Sequence, residues 1–426
     1  MIKIGYIGNG TASTVSLLAN IHNFLPTKFK DADGVDDIFF ECIHDPNTPI
    51  FTVGESISGL FPMLLKTLGY DINNNTDFSK YGELFNEIDM TIRYGNKGSW
   101  EDNLGKEFTI DYRNNIELKK GSAPAAHVNA EKVSKYLLKK IKELYGHVFK
   151  EHHDKVISIT QKNNKVFVTG KDKVYEYDYV FDCRGTPSKE ELDSDAYKKP
   201  EIETVNSAII FPDFKEYNES YTTNIFHRNG WLFGIPLRHR KAFGYLYNRN
   251  ITTKDEAIKH FPQIVPHVDV DTSKLRSIEW NCYYKKQLMD NRIISLGNRL
   301  FFFEPAMGLP LHYYINVTTQ FGTYINNHFF SRQDIPNYMN LYHNIQIEKI
   351  QDLVALNYVG RNEMTSEFWK QTSEKARTRL KNSSRFQEWL SFTQNQLLST
   401  RYYCMDWDIM AQYIYGYNID LKSLIK

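Results

Sequence analysis

Gly8-Asn9-Gly10-Thr11-Ala12-Ser13 follows an apolar run at residues 2–7. A strand entering a glycine turn and then a helix can hold a pyrophosphate. The glycines let the backbone approach it, and the helix N-terminus presents free N–H groups and a partial positive charge. The helix is expected over 11–24, with Val15, Leu17, Leu18 and Ile21 apolar, and a second strand over 37–42. Glu41 then stands where an acid usually holds a ribose hydroxyl. Ser13 replaces the usual third glycine.

Two further stretches could meet the same ligand. Tyr177 to Asp182, followed by Cys183-Arg184-Gly185, reads as a strand and turn, a common second approach of a dinucleotide fold to its cofactor. Leu296-Gly297-Asn298 precedes Phe303-Glu304-Pro305-Ala306-Met307-Gly308-Leu309-Pro310-Leu311. Pro310 suits the first turn of a helix, where its missing N–H would be an orphan anyway. Such a helix aims its positive end at a flavin ring and stabilises negative charge on the reduced ring. An ordinary loop-to-helix entry is the alternative; the upstream glycine turn favours a flavin.

The remainder bounds the chain. Its 426 residues carry 52 Lys+Arg against 51 Asp+Glu, so no basic surplus argues for nucleic acid. The 14% aromatic share fits either an aromatic core or an aromatic-walled pocket. Cys42, Cys183, Cys282 and Cys404 form no CxxC pair, and reduced structural thiols in a cytoplasmic protein are expected. A strand starting at residue 2 leaves no room for a signal peptide, and no apolar run has membrane-helix length. Glu151-His152-His153-Asp154 reads as a solvated loop, because adjacent side chains point apart and no further ligand is near in sequence; no metal is expected. A helix at 130–145, a β-meander at 155–182, mostly strands over 205–300 and helices after 310 complete the pattern.

These motifs in this order resemble the flavin-dependent halogenases of the tryptophan-halogenase type. Gly8 to Ala12 resembles their opening turn, and Val53-Gly54-Glu55-Ser56 their second flavin-contacting loop. Gly230-Trp231-Leu232-Phe233-Gly234-Ile235-Pro236-Leu237 is similar to their Trp-x-Trp-x-Ile-Pro signature, with Phe233 at the second tryptophan. Phe303-Glu304-Pro305 resembles the start of their halide loop, and Asn357-Tyr358 to Trp369 part of their helical region.

The resemblance implies a dinucleotide-binding α/β fold with a second, antiparallel sheet. An FAD-binding domain would span 1–330, with a substrate-flanking sheet at about 200–295, and a helical cover would span 331–426. It implies FADH2 from a separate flavin reductase, a flavin hydroperoxide that oxidises halide, and an electron-rich aromatic substrate; it leaves a homo-oligomer open. Gly8, Gly10, Thr11, Ala12, Ser13, Glu41, Gly54, Glu55, Ser56, Gly297, Asn298, Pro305, Gly308 and Leu311 would contact the flavin. Trp231, Phe233, Ile235 and Pro236 would wall a tunnel for the oxidant.

The departures concern catalysis. The family's oxidant-positioning lysine falls on Asp89, and Lys97, Lys80 or Arg93 could substitute. Its glutamate falls on Met307, and its two halide-binding N–H positions on Leu309 and Pro310, of which proline has none. A halide site short of one donor implies preference for bromide or iodide. Aromatic hydroxylation by a flavin monooxygenase, and flavin binding without halogenation, are the alternative readings.

Overall fold

All of Ile2–Ile7 except Lys3 is buried, as expected of a strand flanked by parallel neighbours and covered on both faces. A computed structural model describes residues 1–24, 38–50, 54–57, 59–72, 78–114, 125–305, 308–326, 331–360, 365–394, 402–403 and 407–426. Ile2–Ile7 lies between Ile38–His44 and Tyr179–Asp182 in a six-stranded sheet. Phe149–His153 and Ile293–Ser295 extend it in parallel, and Met289–Asp290 closes one edge antiparallel. The helices Thr11–Phe24 and Ala130–Tyr145 occupy the expected residues.

The second strand differs from expectation. It runs to His44 rather than stopping at residue 42, because pairing continues through Ile43 with His152 and His44 with His153. The meander is three antiparallel strands, Val156–Lys162, Lys165–Gly170 and Val174–Tyr177, after which the chain returns to the large sheet.

A seven-stranded sheet flanks the first. Its core strands are Ser207–Asp213, Arg240–Tyr247, Gly230–Leu237 and Tyr221–His227, all antiparallel. It reaches outside 200–295: Gly95–Trp100 pairs parallel with Tyr221–His227, and Phe108–Asp111 pairs with Gly95–Trp100. An earlier segment thereby covers an edge that would expose unpaired N–H and C=O groups. One helix, Lys254–Ile264, interrupts the strand-rich stretch, opened by a capping box of Thr253 and Glu256.

Alternation assigns this sheet's two faces. Ile209, Phe211, Ile225, Leu232, Phe243 and Tyr245 pack with Phe261 and Ile264 of that helix. Trp231, Phe233 and Ile235 point to the other face. Phe233 lies against Gly244, where a Cβ would stand 2.2 Å from its ring. The helices Leu309–Asn326, Ile335–Leu356, Glu367–Asn382 and Trp407–Gly416 join the main core. Among the described residues, no helix is long and apolar enough to cross a membrane.

Candidate active site

The carboxyl ends of the parallel strands meet at one edge. Gly8 has φ +106°, its amide donates to Ile43 O at 2.8 Å, and a Cβ there would stand 2.7 Å from Cys183 O. Gly8 is therefore required by the fold. Gly10 is different: its carbonyl accepts from Thr14 N at 3.1 Å, and a Cβ there would meet nothing within 4 Å. The space beside it belongs to a cavity of ≈ 1130 Å³. Gly297 (φ +65°) closes on Ala12, leaving 3.0 Å from its ideal Cβ position to the alanine Cβ.

Most of the expected cofactor contacts line this cavity. Gly8, Gly10, Thr11, Ala12 and Ser13 do so with Glu55 and Ser56, and so do Gly297, Asn298, Pro305, Gly308 and Leu311. Glu55 is half-buried with an enclosed, unpartnered Oε2, and burial raises its carboxyl to about 7 against a hydrogen bond from Thr11. Gly54 opens the strand Gly54–Ile57. The enclosed Glu55 carboxyl oxygen and the open space beside Gly10 fit a large ligand with N–H and phosphate groups, as FAD has.

Glu41 does not line the cavity. It accepts from the Tyr177 hydroxyl at 2.6 Å and pairs with Lys3 at 2.9 Å and His152 at 3.2 Å. Because the strand continues to His44, Glu41 lies inside it rather than at its end. His44 and Asp45 reach the cavity instead. Asp45, which the sequence reading missed, holds Asn47 N at 2.9 Å.

The same cavity reaches the second sheet. Ala208, Ile210, Asn224, Phe226, Trp231, Phe233 and Ile235 wall it. Pro236 points to the opposite face by alternation, and its carbonyl accepts from the Thr91 hydroxyl at 2.7 Å. At the loop, Pro310 lines the cavity in the first turn of Leu309–Asn326, whereas Leu309 is buried outside its lining. Met307 lies outside the described residues.

Of the candidates for the missing lysine, only Arg93 lines the cavity. Asp89, at φ +54°, is buried elsewhere, with Lys132 at 3.9 Å. Lys97 pairs with Glu107 at 3.5 Å on the outer face of its strand, since its neighbour Asn96 takes the inner one. Lys80 is exposed, with its ammonium 4.9 Å from the Tyr81 ring.

Glu304 is a candidate functional group that the sequence reading missed. It lines the cavity, is buried, and accepts from the hydroxyls of Thr204 and Tyr358, the latter at 2.9 Å. Trp231 Nε1 donates to the Tyr358 hydroxyl at 3.1 Å, so this tryptophan and the acid share one chain of hydrogen bonds. Burial raises the Glu304 carboxyl to about 7, against those two hydrogen bonds, and Oε1 has no partner. It can hold a proton at neutral pH. Its sequence signal was its place in the Glu-Pro pair; its partners arrive from distant strands and helices.

The Glu151–His153 segment is a strand end rather than a solvated loop. Parallel pairing brings His44 within 2.9 Å of Glu151, and His153 Nε2 stands 3.3 Å from the same oxygen. Their ligand atoms lie within 4.8 Å of one another, so a third potential ligand is close after all. The His44 hydrogen bond is the main reason that the Glu151 carboxyl falls to about 2.

The family model described as Tryptophan halogenase matches residues 100–400. The chain is 24% identical over 154 residues to tryptophan 7-halogenase RebH of Lentzea aerocolonigenes, covering 34% of this chain and 28% of that protein. It is 20% identical over 274 residues to tryptophan 6-halogenase ThaL of Streptomyces albogriseolus, covering 61% and 50%. The aligned stretches thus span half or less of these two relatives. Among solved structures, a tryptophan halogenase from Shewanella frigidimarina NCIMB 400 superposes with TM-score 0.79 at 16% identity, over 99% of this chain and 89% of that one. BrvH, a flavin-dependent halogenase from Brevundimonas sp. BAL3, gives 0.75 at 14% identity, over 99% and 93%.

Two predictions follow from the cavity itself. Gly10→Val should fold normally, because its side chain enters open space, and should lose flavin binding, because that space is the pyrophosphate approach. Flavin titration with a thermal melt checks both, and full affinity in the variant would remove the cradle assignment. For Glu304, the raised folded-state pKa gives a stability contribution that is full below about pH 4.5 and lost as pH rises through about 7. Glu304→Gln should shrink the fall in unfolding free energy between pH 5 and 7.5 by about 2–3 kcal/mol. Parallel urea-stability profiles for the two proteins would refute it.

Proposed function

The chain belongs to the tryptophan halogenase family, and from this premise we propose that it is an FADH2-dependent halogenase acting on an electron-rich aromatic compound. The observation that carries the reading is one continuous cavity joining the Gly8–Ser13 turn to the Trp231, Phe233 and Ile235 wall. When bound, reduced FAD supplies the oxidising power by reaction with oxygen; a separate flavin reductase delivers it. The turn and the helix start at Thr11 hold the pyrophosphate, and Glu55 accepts hydrogen bonds from the cofactor. Trp231, Phe233 and Ile235 keep the organic substrate away from the flavin edge while a small oxidant passes. Tyr358 fixes the Trp231 ring through its indole N–H, and Glu304 holds a proton beside that wall. Asp89 outside the lining and a proline at the halide loop favour one second reading, aromatic hydroxylation on the same scaffold. Turnover that requires halide separates the two.

Trp231→Ala should lower the ratio of halogenated product to oxygen consumed while flavin oxidation continues. Simultaneous oxygen-electrode and mass-spectrometric assays measure this. Unchanged coupling, together with a stability loss on the order of 3–5 kcal/mol for a buried aromatic, would reduce the motif to core packing.

The halide loop generates a selectivity prediction. Pro310 offers no N–H, and an unmade hydrogen bond to a desolvated anion costs roughly 1–3 kcal/mol. Chloride, the most strongly hydrated of the three, suffers most. Bromide or iodide product should therefore exceed chloride product when the halides compete at equal concentration on one phenol. Dominant chlorination would overturn the argument.

A further inference from the structure

Arg93 ends the strand Thr91–Arg93 and is 2% exposed. Its Nη2 donates to Asn96 Oδ1 and to the Tyr112 hydroxyl, each at 2.7 Å. Asn96 Nδ2 donates to the same hydroxyl at 2.9 Å, and the guanidinium carbon stands 5.0 Å from the Tyr112 ring centroid. Every one of these partners is neutral. Arg93 Nε has no acceptor, and among the described residues no carboxylate pairs with the guanidinium. Asp111, at the end of Phe108–Asp111, is taken by Arg113 and the Tyr221 hydroxyl. Glu55 sits on the opposite face of its three-stranded sheet: Arg93 shares a face with Thr91 and His127, and Glu55 with Val128. His127 adds no negative charge; burial first, then Arg93 and Lys241, push its pKa well below the ordinary value.

A guanidinium is always charged, and a buried charge without a counter-ion is strongly unfavourable. Arg93 also lines the cavity with Asn96, Thr222 and Asn224, on the sheet face that carries Phe233. The guanidinium group thus belongs to a residue that borders the cavity rather than bulk water, with its enclosed Nε left without an acceptor. We propose that Arg93, oriented by Asn96 and Tyr112, is an anion-binding residue of this chamber. It takes one small monovalent anion, either a halide ion or the acidic group of the aromatic substrate. The proposal rests on this cavity being the halogenation chamber, whose lining Arg93 shares with Pro310.

The test uses the full chain without flavin, so that it stays readable if no halogenated product is found. Thermal midpoints are titrated at constant ionic strength in gluconate buffer with bromide, with benzoate and with benzamide, the neutral counterpart of benzoate. Saturable stabilisation by bromide supports a halide occupant. Stabilisation by benzoate but not benzamide supports a substrate acid. Arg93→Met should weaken the apparent dissociation constant at least tenfold. Because that variant removes a buried side chain, Asn96→Asp provides a second arm: it keeps Arg93 and places a permanent carboxylate 2.7 Å away. This variant should be at least as stable as the parent and should lose the anion response. Equal anion responses in the parent and Asn96→Asp, or none in the parent, would overturn the proposal, even if the parent halogenates when supplied with reduced flavin.

Discussion

Three backbone hydrogen bonds join the ends of the parallel strands, and the rest of the site depends on them. Gly8 N donates to Ile43 O at 2.8 Å, Cys183 N to Ile7 O at 2.9 Å, and Leu296 N to Asp182 O at 3.0 Å. Each loop therefore leaves its strand tied to the end of the neighbouring one. The turns after residues 7, 44, 182 and 295 open on one edge. In an open parallel sheet, this carboxyl edge is where ligands bind, because helix starts and free N–H groups collect there. Gly8 and Gly297 accept positive φ so that the chain can turn at that edge without moving the strands.

The second sheet supplies the other half of the chamber through its alternation. The same eight-residue strand Gly230–Leu237 packs Leu232 into one core and presents Trp231, Phe233 and Ile235 to the cavity. A one-residue slip would exchange these sets, so pairing on both sides fixes what the cavity sees. Gly244 admits the Phe233 ring at a place where any side chain would expel it.

Within these walls, three enclosed polar groups are incompletely paired. Glu304 retains an open oxygen, Glu55 another, and Arg93 an open nitrogen. Native interiors satisfy nearly all such groups, so these three cavity residues offer a ligand unfilled pairing positions. The hydrogen-bond chain from Trp231 through Tyr358 to Glu304 also ties the cavity wall to the helical region.

Local chemistry was legible in the sequence because it is read over short distances. The glycine turn and the helices over 11–24 and 130–145 follow from periodicity and backbone freedom, and the stretch Gly230–Leu237 stands out by its likeness to a family signature. The Thr253–Glu256 capping box was equally visible, and overlooking it hid the helix Lys254–Ile264. What tertiary structure decided was which side of each element faces the ligand. Glu41 satisfies the spacing rule yet is spent on Tyr177 and Lys3, because pairing with Phe149–His153 lengthens its strand by two residues. Arg93 and Lys97 are four residues apart with equal claims in sequence. The parallel pairing of Gly95–Trp100 with Tyr221–His227 faces Asn96, beside Arg93, inward and turns Lys97 outward. The sequence determined which residues can do chemistry; long-range strand pairing, which no local pattern encodes, decided which of them meet.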